Sequence, residues 1–417
     1  MAQTFTLIFV ILLLSTSIIK FWLAKRQIAH VQAKRGQVPE AFTEKISLDA
    51  HQKAADYSTA KTRLAIHEMA AEAILLLLFT LGGGLQWLDG NWGNLLKGHD
   101  IIRGALVISS ALLISAIVSI PFDYYRTFTI DEKFGFNKMS PKMFWVDLLK
   151  HTMVGIVLGA PILFVALWLM KGAGQYWWLY LWLVWSIFNL LILAIYPTFI
   201  APLFNKFTPL TDNALKTRIE TLLQKCGFKS QGLFVMDGST RSGHGNAYFT
   251  GFGNNKRVVF FDTLLDRLDA DEIEAVLVHE LGHFRHNHVI KRIILMFVLS
   301  FAGLALLGWL AQQTWFYQGL GVAQNSNHMA LLLFLLVSPL FLFVLRPFMA
   351  SYSRKNEFEA DDYAAKHADA KHLVQALVKL YRDNASTLTP DPVHSNFYDS
   401  HPPASIRIAK LAPYLKA

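Results

Sequence analysis

A His-Glu-x-x-His pattern at residues 279–283 could build half of a zinc hydrolase site. Residues four apart lie on one face of an α-helix, so His279 and His283 can direct two imidazole nitrogens at one metal ion. Glu280, beside the first ligand, is then placed to act as a general base toward the attacking water. The sequence therefore predicts two metal ligands and a catalytic carboxylate on one helix.

The residues before this pattern carry the signals that begin such a helix. Asp269 is the expected N-cap, Glu272 occupies the capping-box position, and apolar residues follow at helical spacing. Upstream, a stretch of soluble character predicts a small α/β unit beside the metal helix. We predict an amphipathic helix at 213–227, strands at 232–236, 247–253 and 257–261, and turns at 239–245 and 254–255.

A catalytic zinc site also needs a third protein ligand and an open position. The metzincin pattern is excluded because positions 286 and 289 hold His286 and Val289, where it requires Gly and His. The best candidate for the third ligand is Glu357, which follows the last apolar run. If the helix continues there, Asp361 shares its face and can hold the N–H of a ligand imidazole, whereas Glu359 points elsewhere.

A plainer interpretation of that segment stays open at this point. Arg354 and Lys355 also fit a charged helix end at a membrane interface, in which the acidic spacing has no role. Six other histidines lack a partner pattern and are expected to be polar surface residues: His244, His286, His288, His367, His372 and His394.

The composition indicates a membrane protein. The chain has 53% hydrophobic and 17% charged residues, 11 Trp and a mean hydropathy of +0.33. Apolar runs near the length of about 20 residues that crosses the hydrocarbon core predict seven spans. They lie at 5–23, 70–88, 101–120, 153–170, 177–200, 290–310 and 330–350. We divide the chain into an N-terminal membrane region, 1–204, with five spans, and a catalytic region, 205–417, that includes spans six and seven.

Lys and Arg concentrate in alternate loops, which predicts an orientation. The positive-inside rule places the N-terminus outside and the catalytic segment and C-terminus in the cytoplasm. The same asymmetry accounts for the net charge of +9, so no nucleic-acid partner is needed.

Met1–Thr6 carries no positive side chain, so we expect the first span to be retained rather than cleaved as a signal peptide. The lone Cys226 is expected to be a reduced thiol.

Further motifs surround the metal pattern. The chain has EFEAD at 357–361 after a predicted span, DSHPP at 399–403 ahead of Arg407, NAYF at 246–249 and FDTL at 261–264. This combination resembles the family M48 zinc metallopeptidases of the seven-span Ste24 type, also called CAAX prenyl protease 1. The resemblance covers nearly the whole chain. It implies a mainly α, polytopic membrane protein whose seven helices enclose a water-filled chamber, with a small cytoplasmic α/β unit of the zincin (gluzincin) kind.

The resemblance also implies roles for individual residues. One Zn²⁺ per chain would be held by His279, His283 and Glu357, and a peptide or protein, with or without an attached lipid, would be hydrolysed. His401 and Arg407 would supply donors to the developing oxyanion. Asn246, Ala247 and Tyr248 would begin a strand edge, running to residue 251, that pairs with an extended peptide. Eukaryotic members act on prenylated peptides; for this chain we expect a multi-pass protein of a bacterial inner membrane.

Two other functions would use acidic residues in or near the predicted spans. A transporter or channel without zinc chemistry would use intramembrane polar residues such as Asp123 and Asp147 to line a pathway. An intramembrane metalloprotease of the site-2 type would use Asp89 in its Leu-Asp-Gly motif. In that class the aspartate follows the metal helix in the chain, whereas Asp89 precedes it.

Overall fold

The structure, a computed structural model, is mainly α-helical and describes residues 1–228, 230, 232–250 and 257–415. Within these residues the helices are α1 (Ala2–Ala33), α2 (Leu48–Phe79), α3 (Gly84–Leu95), α4 (Asp100–Tyr125), α5 (Pro141–Gly172), α6 (Trp177–Ile195), α7 (Asn213–Lys225), α8 (Asp262–Leu265), α9 (Ala270–Arg285), α10 (His288–Leu310), α11 (Thr314–Gln318), α12 (Asn327–Leu342), α13 (Arg346–His367), α14 (Ala370–Asp383), α15 (Pro392–Tyr398) and α16 (Ala404–Leu411). The strands are β1 (Phe207–Pro209), β2 (Leu233–Met236), β3 (Ala247–Thr250) and β4 (Arg257–Phe261).

Six helical segments in the described parts of the chain are long and apolar enough to cross a membrane. They are Ala2–Ala33, Asp100–Asp131, Pro141–Gly172, Gly174–Leu203, His288–Leu310 and Asn327–His367. A seventh candidate is the pair α2 and α3, which meet at an angle of 52°. The polytopic, mainly helical architecture expected from the sequence is therefore confirmed.

The second span, predicted from one apolar run at 70–88, is interrupted by a bend. It breaks between α2 and α3, where Gly83 has a φ of 75°, a conformation that glycine adopts without steric cost. A Cβ on Gly82 would lie 2.8 Å from the backbone of Leu78, so the chain can turn this tightly only without a side chain there. Hydropathy does not register such a bend, because the residues on both sides of it are apolar.

The last span continues directly into the helix that carries Glu357. α12 passes through a short 3-10 turn, Phe343–Leu345, into α13, so that one helical segment runs from Asn327 to His367. The buried face of α13 includes Glu357, Ala360, Asp361 and Ala364. The helix continuation on which the sequence argument for Glu357 depended is therefore present.

The four strands form one small sheet in the order β1-β2-β4-β3. β4 pairs with β2 in parallel and with β3 antiparallel, and β3 is an edge strand of the sheet. Three predicted elements, α7, β2 and β4, are found within one or two residues of their predicted limits. The predicted strand at 247–253 begins as β3, but residues 251–253 and the turn at 254–255 lie outside the described residues.

The metal helix α9 packs between this sheet and the C-terminal helices. Leu277 and Leu281 are buried with Phe260 of the sheet, whereas Val278 is buried with residues of α14. The predicted capping box is present: the Asp269 carboxylate accepts from the backbone N–H of Glu272 at 3.0 Å, and the Glu272 carboxylate accepts from that of Asp269 at 2.9 Å. α9 is thus fixed at its start and along two faces.

Candidate metal centre

Three side chains from two helices converge at one point. His279 and His283 of α9 and Glu357 of α13 each offer a ligand atom, and these atoms all lie within 4.8 Å of one another. The Nε2 atoms of His279 and His283 are 3.5 and 3.4 Å from the two carboxylate oxygens of Glu357. Two imidazole nitrogens and one carboxylate are the protein ligands of a common class of catalytic zinc site.

A close contact between the helices brings these ligands together. Gly282 lies between the two histidines, and a Cβ built on it would be 2.9 Å from the Cα of Ala360, which lies between Glu357 and Asp361. Only a residue without a side chain allows the backbones of α9 and α13 to approach this closely. The Gly282–Ala360 contact therefore sets the distance between the histidine pair and the carboxylate.

Glu357 has a buried oxygen that the surrounding protein does not satisfy. Its Oε2 lies 2.8 Å from the Nδ1 of His401, but it accepts no hydrogen bond of acceptable geometry from the described residues. A buried polar atom without a partner is costly in free energy. The position of this oxygen beside two imidazole nitrogens fits a carboxylate whose partner is a metal cation.

The other nitrogen of His279 is held from behind. Its Nδ1 lies 2.9 Å from Asp361, and Arg407 donates to both oxygens of that carboxylate, at 2.8 and 2.5 Å. Burial alone would lower the pKa of His279, but the neighbouring carboxylates of Asp361 and Glu357 outweigh burial and raise this pKa to about 9. Carboxylates that stabilise an imidazolium in this way would also stabilise a bound cation.

Glu280 is half-buried and next to His279, and no hydrogen bond joins it to a residue that the structure describes. Its carboxylate is therefore not committed to a partner within the described chain. Together, the carboxylates of Glu280, Glu357 and Asp361 and the guanidinium of Arg407 carry a net formal charge of −2. This charge matches that of one divalent cation.

The C-terminal tail places His401 beside Glu357. Arg354, one turn before Glu357 on α13, donates to the backbone oxygens of Ser395, Asn396 and Asp399 at 3.4, 3.2 and 2.8 Å. The His401 side chain is 64% exposed although its Nδ1 contacts Glu357. It is therefore at the site and open to a ligand. The sequence interpretation of Arg354 as a membrane-interface charge missed this function of holding the tail.

Arg407 is placed differently from the expectation that it contacts substrate. Its side chain is buried and bidentate on Asp361, and its Nη1 is 3.8 Å from Glu357. This geometry favours a function in holding Asp361 behind His279. A direct contact with substrate stays a prediction.

The edge strand β3 packs beside the metal helix through the rings of Phe249 and Phe284, whose centroids are 5.3 Å apart. The carbonyl of Asn246 accepts from the N–H of Phe261, so the alternating pattern of an antiparallel ladder turns the backbone groups of Ala247 and Phe249 toward the open edge. The side chain of Asn246 is exposed, whereas Tyr248 is half-buried with its hydroxyl 3.9 Å from the sulfur of Met236.

His288, expected at the surface, is buried and belongs to this site. Its Nδ1 lies 2.9 Å from the Nδ1 of His283, and its Nε2 lies 3.0 Å from Glu359. Sequence reasoning missed this contact because it depends on the turn between α9 and α10. Glu359 lies outside the ligand group, as expected, but it reaches the site through His288. His244, also expected at the surface, stacks its ring on that of Phe136.

The acidic residues behind the alternative functions are paired elsewhere. Asp147 accepts from Arg241 at 2.9 Å, and Asp123 pairs with Arg126 at 2.7 Å. Asp89 is buried between Arg103 and His328. None of these three aspartates is part of the group formed by His279, His283 and Glu357.

Comparison with known proteins gives the family. A family model described as CAAX prenyl protease N-terminal, five membrane helices, matches residues 27–206, and the model of peptidase family M48 matches residues 209–414. A CAAX prenyl protease 1 homolog of Arabidopsis thaliana is 35% identical over 390 residues, which are 90% of this chain and 90% of that protein. The chain belongs to peptidase family M48.

Other relatives agree with this assignment. CAAX prenyl protease 1 of Saccharomyces cerevisiae is 36% identical over 315 residues, 72% of this chain and 69% of that protein. The crystal structure of S. mikatae Ste24p superposes with a TM-score of 0.90 at 30% identity, covering 98% of this chain and 99% of that one. The M48 peptidase is therefore a multi-pass integral membrane metallopeptidase, and the family resemblance recognised in the sequence is confirmed. Nothing in these matches favours a transporter.

Proposed function

We propose that this M48 peptidase is a zinc-dependent endopeptidase that cleaves extended peptides, with one Zn²⁺ per chain held by His279, His283 and Glu357. The observation that carries the proposal is the convergence of two Nε2 atoms and one buried carboxylate within 4.8 Å. The unsatisfied Oε2 of Glu357 and the net charge of −2 at the site support a divalent cation. The mixed nitrogen and oxygen ligands favour zinc over magnesium or calcium, which prefer oxygen ligands alone.

Different residues of the site would then have different functions in the reaction. Zinc held there would act as a Lewis acid on the scissile carbonyl and would acidify the attacking water. Glu280 takes the proton from that water and passes it to the leaving amine. His401, which contacts Glu357 and has a largely exposed side chain, would donate to the developing oxyanion.

Peptide binding is assigned to the open edge of β3. A peptide that adds a strand there would exchange hydrogen bonds with the backbones of Ala247 and Phe249. Such bonds do not read side chains, so they give affinity with little sequence selection. Asn246 and Tyr248 flank this edge and would contact the peptide through their side chains, and Arg407 would act through Asp361.

The substrates and the membrane setting are also part of the proposal. Relatives named as CAAX prenyl proteases suggest that lipidated peptides are among the substrates. The alternation of basic loops supports a cytoplasmic catalytic unit and an external N-terminus. The family models meet between residues 206 and 209, which supports a division of the chain near residue 204. By the family resemblance, the spans would surround a water-filled chamber.

The direct test is metal analysis joined to proteolysis. Purified full-length protein in detergent should contain one zinc per chain and should cleave an unstructured peptide. A chelator should abolish cleavage, and added zinc should restore it. Cleavage that persists after complete metal removal would refute the proposed chemistry, and a metal-free protein that zinc cannot load would refute the proposed site.

A further inference from the structure

We propose that His288 and Glu359 are positioning residues that orient the imidazole of His283, an inference that rests on the proposed zinc site. The three side chains form a line that leads away from the ligand group. His283 turns its Nε2 toward Glu357, its Nδ1 lies 2.9 Å from the Nδ1 of His288, and the Nε2 of His288 lies 3.0 Å from a carboxylate oxygen of Glu359.

The hydrogen bonds in this line determine where the protons are. A carboxylate only accepts, so the N–H of His288 that faces Glu359 must be its Nε2–H. The Nδ1 of a neutral His288 is then an acceptor, and His283 must donate from its own Nδ1. This leaves a lone pair on the Nε2 of His283, where a metal ligand needs it. With the opposite proton arrangement, the Nε2 of His283 would carry a hydrogen and could not bind a metal.

The chain holds His288 in this position by its backbone. Asn287 has a φ of 55°, a left-handed conformation that asparagine tolerates better than most residues. Only two residues, His286 and Asn287, separate the end of α9 from the start of α10, so the first residue of the sixth span lies against His283. The ring of His286 stacks on that of His288 at 5.5 Å with an interplanar angle of 15°.

The two ligand histidines are therefore supported in different ways. His279 is backed by Asp361, whose side chain is 2% exposed and held by Arg407. His283 is backed by an imidazole and by Glu359, whose side chain is 32% exposed at the rim of a cleft of about 740 Å³. Loss of a group that orients a metal ligand typically weakens metal binding about 10–100-fold. We expect His288→Ala to weaken zinc binding within this range. Glu359→Gln should have a smaller effect, because Glu359 is one hydrogen bond further from the metal ligand His283.

The test measures zinc affinity rather than activity alone. The dissociation constant for zinc is measured on the full-length protein by competition with a chelator, and thermal unfolding is recorded with and without zinc. His288→Ala should weaken zinc binding about 10–100-fold and should lower kcat without a matching change in KM, because the residue does not touch substrate. His288→Asn, whose side-chain oxygen can replace Nδ1 as the acceptor, should recover part of the affinity.

Asp362→Asn is the matched control for Glu359→Gln. Asp362 lies on the same helix, is 35% exposed against 32% for Glu359, and pairs with Lys410 rather than with the site. The control should bind zinc as the wild type does. A purely structural function would lower the melting temperature of the zinc-free variants, whereas a positioning function reduces the gain in melting temperature that zinc produces.

The outcomes separate this inference from the proposed function. Wild-type zinc affinity in His288→Ala, or an equal loss in Asp362→Asn, would overturn the inference alone. If His288→Ala does not fold, wild-type zinc affinity in His288→Leu, which cannot accept a hydrogen bond from His283, would overturn it. Zinc binding without peptide hydrolysis would contradict the proposed endopeptidase activity. The zinc affinities of the wild type and the His288 variants would still decide the function of His288. A wild-type protein that binds no zinc would overturn both.

Discussion

At the scale of single residues, the site separates groups that would bind the metal from groups that orient or use it. Glu357 joins the two histidines through short contacts from both of its oxygens, whereas Asp361, one turn on, contacts the far side of His279. Glu280 makes no hydrogen bond or ion pair with the described residues. Substitutions at these three carboxylates should therefore have three different effects.

The first prediction concerns Glu280. Glu280→Gln should keep one zinc per chain, because all three ligands remain, while kcat falls by about 10²–10⁴-fold through loss of the general base. Zinc content by mass spectrometry and initial rates on a fluorogenic peptide measure the two effects. Glu274→Gln on the same helix, whose carboxylate binds Arg218, is the control and should retain activity. Turnover at the wild-type rate in Glu280→Gln would contradict the assignment.

The second prediction compares two carboxylates of α13. Glu357→Ala removes a ligand and should leave the purified protein nearly free of zinc. Asp361→Ala removes only the support of His279, and should weaken zinc binding about 10–100-fold. Asp361→Ala also leaves Arg407 buried without its main partner, so we expect the variant to lose stability as well as zinc affinity. Full zinc occupancy in Glu357→Ala would mean that another carboxylate completes the site.

At the scale of secondary structure, the site depends on the distance between α9 and α13. Nothing in the spacing of the histidines fixes that distance; it follows from the absence of a side chain at Gly282 opposite Ala360. Arg354 and the turn at Asn287 then bring the tail and the sixth span to the same pair of helices.

The third prediction tests that contact. Gly282→Ala places a methyl group within 2.9 Å of the backbone of α13, so the helices must move apart. We expect a loss of about 1–3 kcal/mol in stability together with weaker zinc binding. Thermal unfolding and chelator competition measure both. Gly155→Ala is the control, since a Cβ there meets nothing within 4 Å, and equal losses in the two variants would argue against a specific effect of the helix contact.

At the scale of the whole molecule, the membrane spans and the catalytic unit are joined by ion pairs as well as by the chain. Arg241 of the catalytic region binds Asp147 of α5, and Arg26 of α1 donates two hydrogen bonds to Asp391 of the tail. His244 stacks on Phe136 at the same boundary. The stability of the molecule should therefore respond to groups at this junction.

The fourth prediction concerns pH. Burial lowers the pKa of His244 and of His394 below the ordinary value of 6.5. The unfolded chain then binds more protons as pH falls through 6.5, so stability should be lost below that pH and unaffected by these groups above it. The melting temperature of zinc-saturated protein between pH 7.5 and about 5 measures this loss. His244→Gln should show a shallower decline, and parallel curves for variant and wild type would contradict it.

The fifth prediction concerns orientation in the membrane. After Cys226→Ser, single cysteines are placed at Gln324, between α11 and α12, and at Lys371, near the start of α14. Both positions are exposed, and they lie beyond opposite ends of the segment Asn327–His367. An impermeant thiol reagent added to intact cells should label position 324 and not position 371. The reverse pattern would invert the proposed topology.

Features that depend on near neighbours in the chain could be predicted from the amino-acid sequence. The two histidines and Glu280 follow from helical spacing, the capping box from two residues three apart, and the spans from runs of apolar side chains. The shared face of Glu357 and Asp361 also follows from helical spacing, once the helix after the last span is assumed. Assignment of Glu357 to the same metal as His283 needed the family resemblance.

Contacts between residues far apart in the chain could be seen only in the folded protein. Arg407 reaches Asp361 across 46 positions of the chain and His279 across 128, and no local pattern records either contact. The contact of His288 with His283 spans only five positions, yet it depends on the left-handed turn at Asn287 rather than on helical periodicity. The periodicity of a helix places side chains on its faces, but what lies opposite a face is decided by the packing of the folded chain.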